Sequence, residues 1–308
     1  MADIWYPKSK EDIDIITNSI ILPDKLESIQ QDVQEIQEAC YVYPGSNDNN
    51  YKNRRIEIAK ISSNCKHNDI IPTIAYTKCE NNTWKICLTK LLSLSDMYAC
   101  DEYRYGLSIL FSNNIYNINE IPQLFVLNNF IKRETGWEIR PATGLISTRD
   151  FISAFAHKVF FSTQYIRHHL QPFYTPEPDI IHELIGHVPL LLNNKFSNFL
   201  QKLGNLSLGV SDDLIDKIGK LYWHTVEFGL CTSEFGTKIY GAGILSSVGE
   251  IEYCMDSKNI NLIKQFDPYV FSLVNYPITT FQNIYSCVNN FDELEHLIEN
   301  FIVLCKEE

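Results

Sequence analysis

The sequence predicts a mainly α protein organised as one domain over residues 1–308, on three observations. Apolar residues recur at helical spacing near the amino terminus, from Ser147 onward and again from Ser211. The apolar fraction of 45% and charged fraction of 21% are those of an ordinary globular chain. No repeat, low-complexity tract or long Pro/Gly/Ser linker divides it, so one domain is the economical reading.

The amino-terminal helical stripes are Ile13, Ile16 and Ile20, then Leu26, Ile29, Val33 and Ile36, interrupted by the turn-rich YPGSNDNN stretch. Between 60 and 145, short apolar runs alternate with Pro72, Gly106, Pro122 and Gly136, which predicts helices and turns. Ser147 or Thr148 caps a helix carrying Phe151, Phe155 and Val159 beside Ile152, Ala156 and Phe160. More than half its circumference is apolar, so it is buried. Asp179 caps a short helix from Ile180, and Pro189 disfavours helix at Val188, so an end near His187 is expected. The next helix, from about Ser211 to Gly229, buries Ile215, Ile218, Leu221, Tyr222 and Val226. Gly219, Trp223 and Glu227 repeat every four residues on another of its faces; a gap, an aromatic and a carboxylate in sequence suit a cavity wall.

Charge narrows the partners. With 26 basic against 38 acidic residues the net charge is −12, which repels phosphate backbones and anionic lipid and argues against nucleic-acid and membrane partners. The start, MADIWYPKSKEDIDII, is acidic where a secretory signal is basic, and no window reaches membrane-spanning length, so a cytoplasmic protein is expected. Nine scattered cysteines with no Cys-x-x-Cys pair predict reduced, mostly buried thiols.

The strongest chemical signal is His182-Glu183-Leu184-Ile185-Gly186-His187, two imidazoles five residues apart in an apolar run. Zinc-protease helices space their histidines four apart, about 40° around the axis, whereas five apart is about 140° in a regular helix. The two rings reach one ion if the backbone opens at Gly186 and Pro189. Glu227, in the apolar run Thr225-Val226-Glu227-Phe228-Gly229, offers a third donor, because a lone buried carboxylate costs several kcal/mol unless paired or metal-bound. Two histidines and a carboxylate with an open face suit non-haem Fe(II). Zinc or manganese satisfies the same donors, and each histidine could instead be a hydrogen-bonded core residue and Glu227 half of a buried salt bridge.

The segments RPATGLISTRDF, QYIRHHLQPFYTPEPDIIHELIGHVPLL, YWHTVEFGLC and YGAGILSSVGE together resemble the tetrahydropterin-dependent aromatic amino acid hydroxylases, nearest those acting on phenylalanine. The likeness runs from about Trp5 to the carboxyl end and is dense from Arg140 to Tyr253. It implies a helix-rich, basket-like catalytic domain with a few short strands that uses Fe(II), O₂ and a tetrahydropterin to hydroxylate an aromatic ring. Carried over by position, His182, His187 and Glu227 match the iron ligands. Arg167 matches the residue that grips the substrate carboxylate, and Asp179 holds that arginine. Thr175 and Ser246 match contacts to the amino-acid backbone, with Trp223 and Pro178 as walls around its ring. Phe151 matches the aromatic that stacks on the pterin, assisted by Gly144, Leu145, Ile146, Glu183 and Gly219.

Phe161 stands where animal members place a histidine, which predicts the loss of a polar contact near pterin or substrate. No regulatory domain precedes Trp5 and no oligomerising extension follows CKEE, so a monomer or weak dimer is expected. Trp223 and the apolar Ile278 favour phenylalanine and disfavour tyrosine, while the Pro277-Ile278-Thr279-Thr280-Phe281-Gln282 segment is similar to tryptophan enzymes. The rival readings are a zinc hydrolase with Glu183 as general base, disfavoured by the histidine spacing, and a non-catalytic metal-stabilised binding protein, which needs neither Arg167 nor an open metal face.

Overall fold

The computed structural model describes residues 4–19, 45, 47–63, 65–144, 146–175 and 177–307. The predicted stripe from Ile20 to Ile36 and the candidate Leu145 lie outside the described residues. Helices dominate, as the spacing predicts, and two small sheets accompany them.

Long helices Lys78–Tyr98, Asp101–Ser112 and Leu124–Thr135 occupy the stretch the sequence left coarse. Their limits follow from capping chemistry. Thr77 and Glu80 form a reciprocal capping box at the first, and Gly136 closes the third in the left-handed conformation at φ 76°. Each buries one apolar face, with Trp84, Leu88, Tyr103, Leu107, Leu127 and Ile131 in a shared core.

The helix predicted across Ser147–Phe160 is shorter than its stripe. It spans Thr148–Phe155, capped by the Ser147 hydroxyl, then turns through Lys158 at φ 55° into strand β2, Val159–Ser162. β2 pairs in parallel with strand β1, Glu138–Pro141. Branched and aromatic residues at 159–161 suit a buried strand as well as a helix, and the tertiary pairing with β1 decided between them. Strands β3, Gly229–Ser233, β4, Gly236–Ile239, β5, Ile263–Gln265, and β6, Tyr285–Val288, form the second sheet in the order β4-β3-β6-β5.

The pterin-motif helix Thr148–Phe155 crosses helix Asn194–Ser207 at Gly204. A Cβ there would sit 2.2 Å from the Ala156 nitrogen and 2.7 Å from the Phe155 carbonyl carbon. Both are backbone atoms, which cannot step aside as a side chain can. Gly204→Ala is therefore expected to cost about 1–3 kcal/mol through overpacking, visible as a lower urea midpoint at unchanged slope. A variant as stable as the parent would contradict this crossing.

Candidate functional site

The histidine segment folds as a π-helical turn, His182–His187, that runs directly into helix Val188–Leu191. The sequence expectation of a helix ending near His187 is corrected: the chain widens there and continues. Its cause is local. The Val188 N–H donates back five residues to the Glu183 carbonyl, and Pro189 has no N–H to give. That register leaves the carbonyls of Leu184 and Ile185 without their usual partners, and two buried tyrosines supply them. Tyr116 donates its hydroxyl to the Leu184 carbonyl, and Tyr103 donates to that of Ile185 at 2.7 Å.

The wider turn resolves the five-residue spacing. One π turn returns to the same face after about five residues rather than four, so His182 and His187 lie side by side with their Nε2 atoms 2.9 Å apart. The opening of the backbone that the spacing requires at Gly186 and Pro189 takes the form of this widened turn. Gly186 also serves packing: a Cβ there would meet the Ala242 carbonyl oxygen at 2.7 Å. Glu227 ends a second π turn, Trp223–Glu227, that extends helix Asp212–Tyr222. Its carboxylate oxygens lie 3.5 Å from His182 Nε2 and 3.2 Å from His187 Nε2.

The donor set suits a cation. Among the described residues these three form the one such group, their ligand atoms all within 4.8 Å of one another. Ser246 settles the tautomer of His182. Its hydroxyl donates to the Ala242 carbonyl at 2.8 Å and so accepts from His182 Nδ1 at 3.1 Å, which leaves the Nε2 lone pair facing the centre. Two imidazole nitrogens this close, beside a carboxylate, fit around a shared metal ion. Burial pushes the His182 imidazole down to about 4. Burial pulls the other way on Glu227, but the two neighbouring imidazoles overcome it and hold that carboxyl at about 2. Both groups are therefore in their ligating forms at neutral pH.

Next to this centre, Arg167 is 3% exposed and Asp179 0%. Arg167 gives Nε to Asp179 Oδ2 at 2.9 Å and Nη2 to Oδ1 at 2.7 Å, while its backbone N–H donates to Oδ2 at 2.7 Å. Nη1 donates to the Ser246 carbonyl at 3.1 Å. One side of the guanidinium is thus committed to Asp179, and its remaining Nη N–H groups are the ones left for a ligand carboxylate. Asp179 also accepts from the His182 backbone N–H at 3.1 Å, so one carboxylate anchors both the arginine and the first histidine. Ser246, expected as a contact to a bound amino acid, bridges His182 through its hydroxyl and Arg167 through its carbonyl. Thr175 and Pro178 lie half-buried on the approach, with the Thr175 hydroxyl donating to the Glu177 carbonyl at 2.9 Å.

On the other flank, half-buried Phe151 packs edge-on to Phe155, Phe160 and Tyr222 at centroid distances of 5.0, 5.8 and 5.7 Å. Phe160 touches the His187 ring at 5.0 Å. Phe151 therefore presents an aromatic surface two rings from the histidine centre, with Gly144 and Ile146 partly exposed just before its helix. Gly219 lies against that helix, where a Cβ would meet Thr148 Cγ2 at 2.8 Å. Glu183 is buried, with Oε1 3.4 Å from both the Thr163 N–H and its hydroxyl, and burial pushes its carboxyl well above the ordinary range.

Phe161 is 1% exposed and packs with Ile13, Ile16, Ala142, Ala154 and Val159, against Ile146 and Phe151. The amino-terminal helix Ile13–Ser19 thereby braces the Phe151 wall from behind. Ion pairing fastens that helix, since Arg140 Nη1 donates to Asp14 at 2.8 Å. Trp223 stacks on Tyr276 at 4.1 Å and 11° and donates its indole N–H to Gln282 at 3.0 Å. Ile278, read from sequence as a wall, is 55% exposed.

Sequence reasoning passed over four contributors. Tyr222 was placed in the core stripe, yet it adjoins both Phe151 and Glu227. Tyr103 and Tyr116 lie distant in sequence with no motif to mark them. Gln282 was noted without a role, and only its long-range bond to Trp223 reveals one.

Comparison with known proteins agrees with this arrangement. A family profile described as biopterin-dependent aromatic amino acid hydroxylase matches residues 4–307. Phenylalanine-4-hydroxylase of Dictyostelium discoideum is 41% identical over 297 residues, 96% of this chain and 64% of the relative. Tyrosine 3-monooxygenase of Schistosoma mansoni is 39% identical over 301 residues, covering 98% and 62%. The chain thus spans under two thirds of the length of these curated relatives. A Chromobacterium violaceum phenylalanine hydroxylase structure with bound iron(III) and 7,8-dihydrobiopterin superimposes with a TM-score of 0.70 at 32% identity, over 80% of this chain and 90% of that one. Among the described residues no helix is long and apolar enough to cross a membrane.

Proposed function

We propose a function that starts from one fact: this chain belongs to the biopterin-dependent aromatic amino acid hydroxylase family. It is an oxygen-dependent monooxygenase for the ring of a free aromatic amino acid, L-phenylalanine first, giving L-tyrosine. The observation that carries this reading is the single hydrogen-bonded unit His182–Ser246–Arg167–Asp179, which ties a three-donor metal site to a buried guanidinium.

In this reading His182, His187 and Glu227 hold Fe(II). Bound iron and a tetrahydropterin supply oxygen activation and two electrons. Every other step belongs to the protein. The Arg167 Nη groups not used by Asp179 bind the substrate carboxylate, with Thr175 nearby for its backbone and Pro178 and Trp223 beside its ring. One end fixed in this way holds the other near the open metal face, which converts an encounter into an oriented reaction. Phe151, with Gly144, Ile146, Glu183 and Gly219, forms the pterin wall, and the resemblance assigns Leu145 to the same group. Phe161 offers the pterin nothing polar; its task is to back Phe151. We further propose a single catalytic domain over 1–308, a monomer or weak dimer, and a cytoplasmic setting. The last is supported by eight free cysteines among the described residues.

A competition assay with equal L-phenylalanine, L-tryptophan and L-tyrosine, supplied with Fe(II), tetrahydropterin and air, tests the reading. Tyrosine is expected as the main product. Full turnover without pterin, or hydrolysis of a peptide in its place, sinks it. A larger specificity constant for tryptophan would favour the second reading, a tryptophan hydroxylase, to which the 277–282 segment is similar.

A further inference from the structure

We infer that Gln282 is a positioning residue that sets the angle of Trp223, and through it the preference for a one-ring over a two-ring amino acid. The inference rests on the substrate class proposed above. Gln282 is 2% exposed and all three of its inward polar groups are used. Its Oε1 accepts the Trp223 indole N–H at 3.0 Å, its Nε2 donates to the Pro277 carbonyl at 2.9 Å, and its backbone N–H donates to Glu250 Oε1 at 3.0 Å.

The chemistry of the partners suits an amide. An indole nitrogen donates and cannot accept, whereas a backbone carbonyl accepts and cannot donate. The Gln282 head offers one acceptor to the first and one donor to the second, and those partners fix its amide orientation. The amide is itself anchored, because Glu250 also accepts the Tyr285 hydroxyl and burial raises its carboxyl. Trp223 is therefore held by ring contacts with Tyr276 and Phe228 and by one directional bond at its indole N–H. A stack permits sliding and rotation in its own plane; the hydrogen bond does not. In the function proposed above Trp223 stands beside the substrate ring, so a rotation of the indole changes the room offered to that ring.

Removing the acceptor should release the indole and widen the pocket. In Gln282→Met the ratio of kcat/KM for L-phenylalanine over L-tryptophan is expected to fall on the order of 10-fold, mostly through KM for phenylalanine, with iron retention unchanged. Gln282→Asn keeps the amide but falls one methylene short of its two partners, so it should shift the ratio in the same direction by less. A merely structural role is separated by a double-mutant cycle: in Trp223→Phe, which has no indole N–H, Gln282→Met should leave the ratio unaltered. An unaltered ratio in folded Gln282→Met, or an equal shift in the Trp223→Phe background, overturns the inference. A readout independent of turnover is the indole ¹⁵N–H spectrum, whose four tryptophan signals include that of Trp223, identified by its loss in Trp223→Phe. Hydrogen exchange of that signal should quicken about 10-fold or more in Gln282→Met, and unchanged exchange also overturns the link. If the parent protein hydroxylates none of the three amino acids, the proposed function falls, while the exchange measurement still decides the bond.

Discussion

His187→Ala and His182→Ala are each expected to lower retained iron to background after desalting and to abolish turnover with it. Loss of a residue that merely supports a ligand costs about 10–100-fold in metal affinity, and loss of a ligand should exceed that. The physical reason lies in the donor count. Removing either imidazole takes away one of the three groups whose ligand atoms converge on one point. Metal analysis by plasma emission, alongside tyrosine formation, reads both effects. Stoichiometric iron in both variants would show that the three side chains are a core cluster, each group satisfied by its neighbours.

Asp179→Ala should produce the largest loss of stability, about 3–5 kcal/mol, because it leaves a fully buried guanidinium without its counter-charge. Three hydrogen bonds from Arg167 and one from the His182 backbone disappear together. The direction with pH follows from the carboxyl. Burial opposes ionisation of Asp179, but the Arg167 guanidinium prevails and holds it below its ordinary value. A depressed carboxyl contributes stability that is present above its unfolded value, near ~4, and is lost as pH falls through the lower folded value. Urea titrations at pH 7 should therefore separate parent and variant clearly, and the gap should narrow only in strong acid. A variant within about 1 kcal/mol of the parent at pH 7 would mean that water or another anion replaces Asp179, since a surviving buried charge requires a partner.

The metal donors were legible because their residue types contradict their surroundings. Two histidines and a glutamate in apolar runs need a reason to be buried, and a shared ion is the simplest one. The helices were legible for a related reason, since apolar spacing of three and four residues marks any helix with one buried face. Where apolar residues cover more than half of a segment's circumference, as at 151–161, the same pattern serves helix and strand, and pairing of β2 with β1 decided the matter. The five-residue histidine spacing was legible as an anomaly but not as its solution. A π turn requires carbonyl partners from outside the segment, and these are Tyr103 and Tyr116, far away in sequence.

Local order along the chain determined the helical class, the donor types at 182, 187 and 227, and the arginine and carboxylate that stand beside them, because burial of charge and apolar periodicity are properties of short segments. Tertiary structure alone decided how these meet. It widened the histidine helix with the support of two distant tyrosines, made Ser246 the bridge between His182 and Arg167, set Phe161 behind Phe151, and fastened Trp223 to Gln282. Each of these depends on atoms more than twenty residues apart or on the packing of one element against another, and a directional bond of that span leaves no periodicity in the sequence for a reader to find.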